Sequence, residues 1–241
     1  LFAMERRCVL DALHEAGCDA ADIQAAIVSH LHFDHAGGLT RLARPGESPD
    51  WTGPASAFAA SRPDHAVRRS FPDAEIVAQR REWLDAVAGR SVMTRTYFAD
   101  HLEPIRPNLR LVESPPPFAP GLIPDRDQPP LIPQPARETE VYPGVFVFLV
   151  PGHTWGQQAT RFLGPDGRSV VFVPDVMPTA WHLGAAYSLG YDVEPYTSRV
   201  SRTWLLNEAA DRNWLLCLDH EPGQPLCTVR RNSKGWFDLV R

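Results

Sequence analysis

The chain has 241 residues, a formal net charge of −5, and 44% hydrophobic and 22% charged residues. This composition suits a globular protein with a substantial core, and the acidic balance argues against nucleic acid as the main partner. No apolar run approaches the roughly 20 residues that a membrane helix needs; the longest, residues 145–150, is only strand-sized.

In chain order, residues 2–16 read as a helix, with Met4, Cys8, Leu10 and Leu13 at helical spacings and Gly17 as its C-cap. Residues 23–29 read as a short buried strand running into His30. Residues 36–42 look like a helix start, with Gly37 and Gly38 in its first turn. Residues 45–72 hold five prolines and read as an irregular surface excursion. A strand at 75–79 and a helix at 80–88, closed by Gly89, follow. Residues 109–112 form a candidate strand.

Residues 113–135 contain nine of the chain's 24 prolines. Such a segment cannot sustain helix or central-sheet hydrogen bonding, so it reads as a long loop or arm. It is either a passive insertion or a wall over the active site. Strand signals resume at 145–150 and 169–173, and residues 199–210 fit an amphipathic helix. A last buried strand, 214–218, ends at Asp219 and His220. Cys8, Cys18, Cys217 and Cys227 form no CxxC pair and read as reduced thiols of a cytoplasmic protein.

The strongest chemical signal is His30-Leu31-His32-Phe33-Asp34-His35, which gathers three of the nine histidines and a carboxylate into six residues. In an extended segment, side chains two apart share a face, so His30 and His32 point the same way. Asp34 and His35 lie where the chain turns and can face a second centre. Imidazole and carboxylate donors suit Zn²⁺, Mn²⁺ or Fe²⁺. His153, Asp175 and His220 each follow the end of a predicted strand, where loops at one sheet edge can gather them. No GxSxG elbow or P-loop is present. Among the remaining histidines, His14 and His65 read as surface residues, and His101 stays open. His182, seven residues beyond Asp175, is a candidate substrate or supporting contact, as are Tyr187, Tyr191 and Tyr196, although aromatic packing is the commoner fate.

HLHFDHAGG at 30–38 resembles the HxHxDH signature of the metallo-β-lactamase superfamily, especially its lactonase and glyoxalase II branches. PGHTWGQ around His153, PDV around Asp175 and DHE around His220 are similar to its later motifs, in the same order. Residues 71–83 and 177–183 also look like segments of its generic hydrolases. The resemblance implies an α/β fold, a four-layer αβ/βα sandwich of two mixed sheets with helices outside. It also implies one domain over residues 1–241, with its N-terminal strands missing and a Pro-rich insertion at 113–135. It implies two divalent metal ions, zinc first and manganese or iron as alternatives. His30, His32 and His153 would hold one ion, Asp34, His35 and His220 the other, and Asp175 would bridge them. Aspartate at that bridging position separates the chain from the common dinuclear zinc β-lactamases, which carry cysteine there. Three departures are Pro174 for the usual glycine, Gln157 for histidine or serine, and Trp155 for proline.

The implied chemistry is hydrolysis of an ester, lactone or thioester by a metal-activated hydroxide, with phosphotriester hydrolysis open to the same machinery. Asp34 and His182 are the candidate catalytic side chains, Asp34 orienting the nucleophile and shuttling its proton. A mononuclear iron oxygenase of the persulfide dioxygenase type and a non-catalytic binding protein are the rival readings. The expected partners are a small-molecule substrate and a second copy of the chain as a homodimer, with no nucleic acid and no membrane; the missing N-terminal strands would leave a sheet edge unpaired, an association hazard.

Overall fold

A computed structural model describes residues 7–54, 64–88, 96–119, 122–125, 127–184 and 186–241. The start of the predicted first helix, including Met4, lies outside them, and so does Gly89. No helix among the described residues is long and apolar enough to cross a membrane. The chain divides into two compact units: Leu1–Ala78 with Trp83–Leu111, and Gln79–Glu82 with Val112–Arg241.

The first unit opens with helix α1 (Val9–Glu15), whose Cys8 backbone N–H donates to the Asp11 carboxylate at 2.8 Å. Strand β1 (Ala25–Ile27) follows, then the short helix α2 (Phe33–Ala36), a 3-10 turn at Gly37–Leu39 and strand β2 (Thr40–Leu42). Strands β3 (Trp51–Gly53), β4 (His65–Arg69) and β5 (Glu75–Gln79) come next, then helix α3 (Arg80–Val87), helix α4 (Ala99–Leu102) and strand β6 (Leu109–Val112). One sheet has the order β1-β5-β6, with β1 and β5 parallel; a second, antiparallel one has the order β2-β4-β3. Leu31, Ala36, Phe71, Ile76, Trp83 and Ile105 belong to this unit's apolar core.

The small antiparallel sheet differs from the sequence reading, in which 36–42 start a helix and 45–72 are irregular. Gly37 and Gly38 allow only a single 3-10 turn before the chain extends at Thr40. The prolines at 45, 49 and 54 flank β3 without interrupting its ladder, as proline does at strand ends.

The second unit carries helix α5 (Gln134–Arg137), strands β7 (Thr139–Tyr142), β8 (Val145–Leu149), β9 (Gln158–Leu163) and β10 (Ser169–Val173), and a 3-10 turn at Ala180–Leu183. Helix α6 (Pro195–Arg212) and strands β11 (Leu215–Leu218), β12 (Leu226–Arg231) and β13 (Phe237–Val240) complete it. Seven strands form one mixed sheet in the order β13-β12-β11-β10-β9-β8-β7. All neighbours are antiparallel except β10 and β11. A parallel pair needs a crossover, and α6 supplies it. Glu194 caps α6 by accepting from the Tyr196 N–H, Pro195 takes the first helical position where its missing donor costs nothing, and Asn213 ends it in the left-handed conformation at φ +51°. Val171, Val173, Leu205, Leu206, Leu216 and Leu218 pack sheet against helix.

The proline-rich segment is anchored at its base. Ser114, Gln134 and Arg137 are buried. Trp204 of α6 donates its indole N–H to the Gln128 carbonyl at 2.8 Å, and its ring faces Phe118 at 6.2 Å. The apolar residues farther out are bare: Ile123 is 84% exposed and Leu131 65%.

Candidate metal centre

Two sets of ligand-type side chains stand out, one in each unit. In the first unit, the Val28 N–H donates to the Val77 carbonyl at 3.0 Å and so extends the β1–β5 ladder up to the histidine cluster. His30 and His32 are buried, and His32 occupies the N-cap position of α2, with Asp34 and His35 inside the helix. The His30 ring lies 4.6 Å from that of His32 and 4.0 Å from that of His35. The His30 and His32 rings are thus neighbours, although neither residue lies in a strand. The Ser29 hydroxyl sits 3.3 Å from His30 Nδ1 and 3.4 Å from His35 Nδ1, and His35 Nε2 is 3.7 Å from the Asp34 carboxylate. Asp34 is the open member of the set, with 41% of its side chain exposed.

In the second unit, the parallel register of β10 and β11 pairs Val173 with Leu218. Two residues beyond each come Asp175 and His220, so the ladder itself sets them side by side. His220 Nε2 lies 3.2 Å from Asp175 Oδ1, and His153 Nε2 lies 3.0 Å from Asp175 Oδ2. The buried Asp175 carboxylate thus has a histidine on each oxygen.

His153 reaches this place through the turn after β8. Gly152 there has φ +135°, and a Cβ on it would come within 2.1 Å of the Ser198 nitrogen in α6, so only glycine fits. Ser201 of α6 donates to the Pro151 carbonyl at 2.6 Å, and the Val193 and Glu194 N–H groups donate to the carbonyls of His153 and Gly152. Of the three departures in sequence, Gln157 is buried and donates to the Val150 carbonyl at 3.2 Å, closing this turn. Trp155 lies under the Arg81 guanidinium. Pro174 accepts from the Met177 N–H, so its ring does not interrupt the turn after Asp175.

Two further carboxylates belong here that the sequence reading does not single out. Asp192 accepts from His153 Nδ1 at 2.9 Å and from the Leu189 N–H at 3.1 Å. Asp219 offers a ligand atom within 4.8 Å of those of Asp175 and His220. Asp219 directly precedes a predicted ligand, a signal that is present but weak; nothing local in the sequence marks Asp192.

Burial pulls the His153 pKa down, but the hydrogen bonds and charges of Asp175 and Asp192 outweigh it and push it up to about 9. The two carboxylates thus favour positive charge at His153. A histidine that donates one ring N–H to a carboxylate and turns the other nitrogen toward anionic oxygens has the usual arrangement of a ligand. The donor chemistry of both sets therefore fits a divalent cation of the zinc, manganese or iron type.

His182 lies in the 3-10 turn, with Nδ1 2.9 Å from the Thr179 hydroxyl. Burial and the Arg202 charge lower its pKa, while Asp192 and Asp175 oppose them. It shares their electrostatic neighbourhood, and its hydrogen bond goes to Thr179. The Tyr191 ring stands edge-on to His153 at 5.6 Å and is 64% exposed. His14 is exposed, as expected. His65 is half-buried and bonded to the buried Asp100 at 2.9 Å, and His101 packs against Phe98 and Gly37, so neither is a plain surface residue.

The family model of the metallo-beta-lactamase superfamily matches residues 2–176. The chain belongs to that superfamily. The match takes in the histidine cluster, His153 and Asp175. A probable metal-dependent hydrolase from Staphylococcus aureus is similar in structure, with a TM-score of 0.71 and 18% identity over 98% of this chain and 68% of that one. AidC, a dizinc quorum-quenching lactonase, has a TM-score of 0.66 and 19% identity over 98% of this chain and 71% of its own. The hydrolase AbOPH of the beta-lactamase superfamily has a TM-score of 0.64 and 17% identity over 96% and 68%. At these identities the likeness carries the α/β fold. No curated protein is similar enough to count as a match.

Proposed function

We propose that the chain is a metal-dependent hydrolase of ester, lactone or thioester bonds, working with two divalent ions, zinc first. His30, His32 and His153 are assigned to one ion and Asp34, His35 and His220 to the other, with Asp175 shared, following the order of the superfamily's motifs. The observation that carries this reading is the Asp175 carboxylate with His153 and His220 on its two oxygens. Membership of the superfamily and the dizinc lactonase among the structural neighbours support it.

When bound, a pair of divalent ions supplies acidification of water and polarisation of the scissile carbonyl. The chain's own residues do the rest. Asp192 holds the Nδ1 proton of His153 and so presents Nε2 as a donor. Asp34, open to solvent beside His35, can take a proton from the attacking water and pass it to the leaving group. Tyr191, exposed beside His153, offers an apolar face and a hydroxyl to a substrate.

The test joins metal content to turnover. The purified protein, supplemented with zinc or manganese, is expected to hold close to two ions per chain and to hydrolyse members of a panel of lactones, thioesters and aryl esters. Asp175→Ala should lose both metal and turnover, while Asp166→Ala, in an exposed turn, should lose neither. One ion or none by elemental analysis would overturn the dinuclear assignment. Oxygen uptake with a bound iron would favour the oxygenase reading instead.

A further inference from the structure

We propose that Arg202 is a positioning residue for the metal centre, clamping the segment that follows Asp175; this rests on the reading of Asp175 as a metal-holding carboxylate. Arg202 lies in α6, is 2% exposed and heads the fully buried side chains by volume. A charge this deep is costly unless something compensates it. Burial draws its pKa down to about 10, and the Asp192 charge works against that shift.

Its hydrogen bonds run to backbone carbonyls. Nη1 donates to Val176 at 3.4 Å, and Nη2 donates to Gly184 at 3.2 Å and to Tyr187. All three acceptors belong to one loop. Val176 is the residue next to Asp175, whereas Gly184 and Tyr187 lie beyond the 3-10 turn that bears Trp181 and His182. One planar group thus ties the start of the loop that leaves the shared carboxylate to its middle. The charge of Arg202 also offsets Asp192, which fixes His153 from the other side.

Only arginine offers two amino groups in a rigid fork that can reach separate carbonyls. A lysine keeps the charge but presents a single nitrogen. A loop that is free to drift holds its carboxylate less well, and loss of such support typically weakens metal binding about 10–100-fold.

The experiment compares the full chain with Arg202→Lys, Arg202→Gln and Leu206→Val. Leu206 lies in the apolar core, so its truncation supplies a control for lost stability alone. Zinc affinity is read by competition with a chelating dye, kcat and KM on whichever panel substrate the wild type turns over, and Tm by calorimetry. The proposal expects zinc affinity to fall about 10–100-fold in both arginine variants. It expects kcat to fall more than KM changes, and Leu206→Val to lose Tm with unchanged affinity. Arginine variants that fold and bind zinc as tightly as Leu206→Val overturn the proposal and leave the metal reading standing. Arginine variants that do not fold show a purely structural clamp and overturn it as well. A wild type that binds no zinc overturns the metal reading and the clamp with it.

Discussion

At the scale of single residues, the site depends on which nitrogen of each histidine is free to donate. For His153 that choice belongs to Asp192, whose carboxylate accepts from Nδ1. Asp192→Asn keeps the size of the side chain but removes the charge and half of the accepting capacity. Zinc affinity is expected to fall about 10–100-fold, with the fold retained, as measured by dye competition and circular dichroism. Unchanged affinity would mean that Asp192 serves the loop, through Leu189 and the Arg202 charge, and not the proposed ligand. The proposed ligands were legible in the sequence because imidazoles and carboxylates rarely crowd into six residues, and because the others each follow a strand. Asp192 was not, since its role comes from a contact 39 residues away. Arg202 was hidden for a related reason: a charged residue in an amphipathic pattern reads as a solvated face, whereas α6 buries it.

At the scale of elements, what positions the site is register. The pairing of Val173 with Leu218 places Asp175 beside His220 without any help from the loops. The strands β8, β10 and β11 were readable as apolar runs. Strand β9 was not, because the residues it buries include Gln158 and Thr160, which no hydrophobic pattern marks. Gln158 is satisfied instead by the Gln79 amide at 2.9 Å. Strand β12 buries only Cys227 and Val229, too short an alternation to stand out.

The proline-rich segment shows the same division between pattern and contact. Its composition says only that it is neither helix nor inner strand, and its anchoring comes from Trp204. Trp204→Phe keeps an aromatic ring near Phe118 and deletes the indole N–H. It should cost about 1 kcal/mol, the usual net worth of a hydrogen bond, in urea unfolding. Ile123→Ser, at a bare position, should stay within about 0.5 kcal/mol of the wild type. Equal losses at both positions would show that the segment packs along its whole length.

At the scale of the whole molecule, the proposed assignment of His153 as a ligand links metal, proton and fold. With metal stripped, the two carboxylates favour a proton on His153 Nε2, facing Asp175 where a cation is proposed to sit. The folded pKa of about 9 lies above the ordinary 6.5. The stability that this proton contributes is therefore fully present below pH 6.5 and is lost as pH rises through about 9. Its size is on the order of 3 kcal/mol. A bound cation would replace that proton, so binding would release it below about pH 9 and tighten as pH rises. An ion present at about a thousand times its Kd adds about 4 kcal/mol to the folded state. The two forms should therefore diverge: the difference in Tm between zinc-loaded and chelator-stripped protein is expected to widen from pH 6.5 to pH 9. Taking the difference cancels every titrating group that the metal does not touch. A gap that stays constant over this range would remove His153 from the ligand set, because no proton would then be exchanged for metal at that nitrogen.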